Sequence, residues 1–276
     1  MRYALCILLT VGFCMANPNA SSAELSSYEA ELDRWHQGRL ARLTAEDGYL
    51  SLTGLHWVTA EGSTIPTIGE ARVEDSGVRL DLEPGFTCQG QAVSEIVLDL
   101  DLPEAQQVLE RGSQRVFAIK RGPWIGLRVR DSQAPTRIGF DGVARFPVDP
   151  EWRIPGRLVS QPETLEVASV VGVSTSERSP GWAVFEWQGK EHKARLIGDS
   201  DDESFFLVFS DQTAGESTYP ACRFLSVERT GDNGLVLDFN KSINPACAFT
   251  QFATCPLPPQ ENLFPFPIPA GERKPQ

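Results

Sequence analysis

From Gly48 onward the chain breaks into short apolar or alternating runs separated by turn residues, and this pattern constrains the fold more than any other feature. The runs are Val78–Leu82, Val93–Leu100, Arg115–Lys120, Trp124–Arg130, Leu165–Val173, Trp182–Trp187, His192–Ile197, Phe205–Phe209, Arg223–Val227 and Leu235–Phe239. Between them stand Asp75-Ser76-Gly77, Arg121-Gly122-Pro123, Gln188-Gly189 and Asp232-Asn233-Gly234. Short strands with few helices between them predict a mainly β protein, an antiparallel sandwich or barrel-like sheets. Val78–Leu82 alternates, as a strand with one wet face should, whereas Phe205–Phe209 is apolar throughout and reads as a central strand covered on both faces. No propeller- or solenoid-length repeat is present. Arg137–Ser160 is poor in pattern and rich in Gly, Pro and Arg, and reads as a connection. Residues 24–276 are therefore expected to form a single domain, or two β subdomains meeting near 137–160.

Two segments flank the strands. From Glu24 to Leu43, Leu25, Tyr28, Leu32, Trp35, Leu40 and Leu43 recur mostly at steps of three and four, which predicts one N-terminal amphipathic helix. Glu29, Asp33, Arg34, Gln37 and Arg42 fall on its solvated face. At the other end, six residues between Cys255 and Pro269 are proline, so this stretch cannot donate a regular ladder of hydrogen bonds. Its Leu257, Leu263, Phe264, Phe266 and Ile268 predict a Pro-rich C-terminal strap packed onto the body.

The first residues have the form of a secretory signal. Arg2 precedes an apolar run from Tyr3 to Phe13, followed by small residues at Ala16, Ala20 and Ala23. About ten apolar residues are too few to cross a bilayer, which needs roughly 20. Cleavage after Ala23, or alternatively after Ala16, gives a periplasmic or secreted protein with no membrane span. The formal charge of -12 and the lack of any run of three basic residues argue against nucleic-acid binding. That surplus serves solubility and selects no substrate or protein partner.

Export changes how cysteine is read. Cys88, Cys222, Cys247 and Cys255 remain beyond the signal, and an even number in an oxidising compartment suggests disulfides; four buried thiols are the alternative. Cys247 and Cys255 are too widely spaced for a zinc motif, and His36, His56 and His192 are scattered, so neither metal nor cofactor is expected.

Four segments resemble an uncharacterised bacterial and archaeal family described as domain of unknown function 1684. They are Asp47-Gly48-Tyr49-Leu50-Ser51-Leu52-Thr53-Gly54-Leu55-His56-Trp57, then Arg145-Phe146-Pro147-Val148-Asp149-Pro150, then Thr218-Tyr219 with Arg223-Phe224-Leu225, and a long C-terminal run. The last comprises Leu237-Asp238-Phe239-Asn240, Asn244-Pro245-Ala246-Cys247-Ala248-Phe249-Thr250, Ala253-Thr254-Cys255-Pro256-Leu257-Pro258-Pro259 and Glu261-Asn262. The resemblance spans nearly all of the chain after the signal and implies no established activity. Some members also resemble a phosphopeptide-binding forkhead-associated domain near Thr64–Gly69, but here Pro66 interrupts the segment and the phosphate-reading Ser and Asn are missing. Cys222 stands where the family usually has Gly, and Cys88 lies outside its motifs, which implies that these two pair with each other. The chain-entropy model gives about 5 kcal/mol for that long loop and about 2.6 kcal/mol for Cys247–Cys255.

Asn240, Asn244, Glu261 and Asn262, with Tyr219 and Arg223 shortly before, are an unusual density of polar groups beside Pro and Phe. Two readings follow. They satisfy backbone groups that a proline-rich segment leaves unpaired, or Arg223 anchors a small polar or anionic ligand while Tyr219, Asn240, Asn244 and Asn262 orient it. His56, with a carboxylate such as Asp238 or Glu261, is the candidate for a metal-independent hydrolase. No nucleophile elbow, phosphate loop, H-E-x-x-H or C-x-x-C motif occurs. Whether the chain is an enzyme stays open; a ligand-binding β-scaffold is favoured over the hydrolase and over a purely structural envelope protein.

Overall fold

The computed structural model describes residues 22–75, 77–102 and 106–275; the expected signal segment, apart from Ser22 and Ala23, lies outside them. The fold is mainly β, with three antiparallel sheets and one long helix, α1 (Ser22–Thr44). Among the described residues no helix is long and apolar enough to cross a membrane.

Two sheets are built before residue 132. The first contains β1 (Leu52–Val58), β5 (Thr87–Cys88), β6 (Gln91–Ala92), β8 (Leu109–Arg111), β9 (Gln114–Arg121) and β10 (Trp124–Asp131), in the order β1-β10-β9-β8-β5-β6. The second contains β2 (Ser63–Ile65), β3 (Gly69–Glu74), β4 (Gly77–Leu82) and β7 (Glu95–Asp99) in sequence order. Both sheets contribute to one core, in which Val78, Leu80 and Leu98 meet Leu109, Val116 and Leu127, all at most 1% exposed. This is the sandwich that the alternating runs predict.

The third sheet is built after residue 152. Its strands are β11 (Arg153–Ala168), β12 (Ser174–Trp187), β13 (Lys190–Arg195), β14 (Ser204–Phe209), β15 (Arg223–Thr230) and β16 (Gly234–Asp238), in the order β13-β12-β11-β16-β15-β14. The first half of β11 falls in the segment read as a connection, because Pro155 and Gly156 disguise it. Pro155 pairs with Val236, while the ladder to β12 begins only at Gly156, so the missing N–H is tolerated at the strand's start. A break in register between Ser160 and Glu163 faces Gly181, whose φ of +132° suits only glycine.

The C-terminal segment covers this sheet. Asn262, Phe264, Phe266, Ile268 and Ala270 are buried, while Pro265, Pro267 and Pro269 between them face out. The alternation has the period of a strand, yet prolines stand where an N–H would point to solvent. Instead of a ladder, Phe264 N–H donates to the Ser210 carbonyl (2.8 Å) and Ile268 N–H to the Asp211 carboxylate (3.0 Å). Gly271, at φ +77°, then brings the chain against the 239–242 turn so closely that a Cβ would stand 2.5 Å from the Ser242 carbonyl.

Helix α1 docks on this C-terminal part mainly through polar contacts. Its buried positions are Leu32, His36, Arg39 and Leu43, a stripe at steps of four, three and four that carries two polar residues. The residues assigned to its wet face are all exposed.

Candidate functional site

Arg223 is deeply buried, with its side chain 1% exposed. One Nη donates to the Ala270 carbonyl; the other donates to Asp211 Oδ2 (2.6 Å) and to the Ile268 carbonyl (2.8 Å). Asp211 Oδ1 in turn accepts from Thr213 N–H, Thr213 Oγ1 and Ile268 N–H. The fork that could have gripped a ligand carboxylate grips an internal one, and two carbonyls of the covering segment with it.

The asparagines have similar tasks. Asn262 donates to the Arg195 and Val208 carbonyls and accepts from Arg195 N–H. Asn240 donates to Tyr28 Oη and to the Asp149 carbonyl and accepts from Asp149 N–H. Asn244 donates to the Arg273 carbonyl, and its backbone N–H donates to Glu272, which binds Arg39 at 3.2 Å. Tyr219 donates to the Cys247 carbonyl (3.0 Å). These contacts fit the backbone-satisfying reading, and they move the search for a ligand site elsewhere.

The hydrolase candidates do not meet. His56 lies within β1, opposite Leu127, with its Nε2 about 3.0 Å from where a Cβ on Gly54 would stand. Among the described residues no hydrogen bond or ion pair joins it to a carboxylate. Glu261 is exposed. Asp238 caps the turn after β16 and accepts from Tyr28 Oη at 2.7 Å and from Asn240 N–H at 3.2 Å. Its other oxygen is buried with no hydrogen bond, and burial pushes the carboxyl up from its ordinary value. Burial, and then the adjacent Asp238, raises the Tyr28 phenol as well, so the pair is a docking clamp for α1.

The expected pairing of Cys88 with Cys222 is not formed: Cys88, Cys222, Cys247 and Cys255 are all free thiols. Cys88 is on β5, where burial and Glu110 raise its thiol. Cys222 is fully buried beside the Pro256 carbonyl at 3.6 Å. A shared absence from the family's motifs carried no geometric information. Cys247 and Cys255 are neighbours, with Cys247 N–H donating to Cys255 Sγ at 3.2 Å. Among the described residues no group of three His, Cys, Asp or Glu is placed to hold a metal ion.

A cavity of about 710 Å³ opens between α1, the segment 135–144, Ala248–Phe249 and the chain at Lys274–Pro275. Leu40 and Leu50 form part of its apolar wall with Phe140 and Phe249, whose rings meet edge to face at 6.2 Å. His36, Gln37, Thr136, Asp141 and Lys274 supply polar atoms. His36 is only 8% exposed, and its Nδ1 has no hydrogen-bond partner. Burial, reinforced by Arg145 and Arg39, outweighs a hydrogen bond to the Val143 backbone and pulls its pKa below the ordinary value, so the ring is neutral at pH 7. His36 went unselected in the sequence; its spacing of four from Leu32 and three from Arg39 was the available signal. Two smaller cavities differ in character: one of about 420 Å³ is apolar, beside Trp57 and Trp124, and one of about 390 Å³ is lined by Arg111, Arg115 and Arg130.

Residues 138–273 match the family described as "Protein of unknown function (DUF1684)". The segment Asp47–Trp57 and the His36 helix lie outside the matched span. A solved structure, the solution NMR structure of an uncharacterised protein of Haloarcula marismortui, is similar at 26% identity, covering 50% of this chain and 78% of that one with a TM-score of 0.41. No curated protein matches.

Proposed function

We propose that the protein is exported and binds a small polar ligand with an apolar portion in the cavity beside His36. The observation that carries this reading is a cavity of about 710 Å³ whose wall joins the buried imidazole of His36 to the apolar side chains Leu40, Phe140 and Phe249. A pocket with apolar walls and a few polar groups is the usual form of a small-molecule site. The ligand's apolar part would lie against Leu40, Phe140 and Phe249, and Lys274 at the rim favours a carboxylate or another anion. The hydrolase alternative lacks a carboxylate at His56, and nothing comparable supports it.

Binding is tested by a thermal-shift screen of aliphatic and aromatic carboxylates, amides and alcohols. Hits should raise the wild-type Tm and lose at least tenfold in affinity with His36→Ala, while Arg223→Lys, compared at matched folded fraction, retains them. Hits that bind His36→Ala unchanged would place the site elsewhere. The neutral ring also has a signature in the ligand-free protein. A His whose folded pKa lies below its unfolded 6.5 contributes stability that is present above pH 6.5 and is lost as pH falls toward the folded value. The destabilisation of wild type between pH 7 and pH 5 should therefore be smaller in His36→Gln; an unchanged slope would mean a ring that is not held neutral. His56 is shifted in the same direction by burial and serves as the comparison variant.

Export rests on the basic, apolar and small-residue order of residues 2–23. N-terminal sequencing of the protein from its native host should begin at Asn17 or Glu24; an intact Met1 would refute it.

A further inference from the structure

Three cysteines cluster near the turn after Asn244: Cys247 touches Cys255, and Cys222 Sγ lies 3.6 Å from the carbonyl of Pro256, the residue after Cys255. Cys247 sits in the short turn Ala246–Ala248 and is partly exposed, whereas Cys255 and Cys222 are buried. Cys247 N–H donates to Cys255 Sγ at 3.2 Å, which puts the two residues in direct contact. The Tyr219 hydroxyl donates to the Cys247 carbonyl at 3.0 Å and stands beside its sulfur.

We propose that Cys247 and Cys255 are a redox-active dithiol, with Cys247 as the attacking thiolate and Cys255 as the resolving thiol. Three observations divide the roles. Cys247 is the exposed member. Its neighbour Cys255, the largest influence on it, overcomes its burial and brings it down to about 7. Cys255 is pushed the opposite way, first by its bond to Cys247 and then by burial, so the pair shares one readily lost proton. Burial drives Cys222 up to about 12, leaving it protonated and inert.

The oxidant is a small-molecule disulfide. The Cys247 thiolate attacks one of its sulfurs, forming a mixed disulfide and expelling the first small thiolate. Cys255 then loses its proton and attacks the Cys247 sulfur, forming the Cys247–Cys255 bond and expelling the second. Two cysteine thiols are oxidised, one external disulfide is reduced to two thiols, and the two cysteine protons pass to the expelled thiolates.

The full folded chain, treated with oxidised glutathione and mapped as non-reduced peptides, should lose two thiols and yield a Cys247–Cys255 link that dithiothreitol reopens. A link through Cys88 or Cys222, a glutathione adduct that persists on Cys247, or unchanged thiols would overturn the proposal. The untreated protein gives a second readout. At pH 7 iodoacetamide should label Cys247 about tenfold faster than Cys88, and Cys255→Ala should slow it. Equal labelling of Cys247 and Cys88 would refute the assignment of the attacking thiol.

Discussion

Arg223→Ala should lower the unfolding free energy by about 3–5 kcal/mol, the cost typical of breaking a buried ion pair by removing one partner. The substitution leaves Asp211 charged at a site where both side chains are 1% exposed, and it strips the Ala270 carbonyl of its side-chain donor and leaves the Ile268 carbonyl only the Ala270 N–H. Arg223→Lys should recover only part of the loss, because an ammonium cannot reproduce the planar fork that reaches a carboxylate and two carbonyls together. Urea denaturation measures this, with the midpoint moving and the slope unchanged. A variant as stable as wild type would mean that Arg223 is free for a ligand after all.

Phe264→Ala should cost a similar amount, about 3–5 kcal/mol, through lost burial and the cavity left behind. The ring is 5% exposed and packs against Phe185, Phe209, Phe239 and Phe266 at centroid separations of 5.7, 5.8, 6.1 and 5.5 Å. Its neighbour Leu263 is 44% exposed, and Leu263→Ala should change stability by no more than about 0.5 kcal/mol. The contrast between adjacent positions isolates the covering role of the C-terminal segment. Equal small effects at both would show that the third sheet is stable without its cover.

Much of the β framework is legible because turn residues punctuate it. The runs at 115–120, 124–130, 205–209 and 223–227 fall within strands that extend them by a few residues. What escaped are strands whose residues carry two messages. Arg153–Ser160 contains a proline and a glycine and looks like a connection, yet its ladder to β12 starts after the proline. Leu52–Val58 begins beside a turn and contains Gly54, which obscures its apolar pattern. The polar residues near the C-terminus were visible as a cluster, but composition cannot tell whether an arginine fork will meet a ligand or an internal carboxylate. Their partners, Asp211, Arg195 and Tyr28, are 12 to 212 residues away in sequence. His36 was hidden for the converse reason: on a helix, one histidine among apolar residues reads as packing until the cavity beside it is seen.

Side-chain nitrogen NMR of the histidine-labelled protein, titrated with a hit from the carboxylate screen, tests the account most directly. The chain has only three histidines, and single His→Gln variants assign them. The account predicts that ligand shifts the His36 Nδ1 resonance while His56 and His192 stay in place, and that the ring is neutral at pH 7 before ligand is added. A response confined to His56 or His192, or a His36 ring already charged at pH 7, would contradict it.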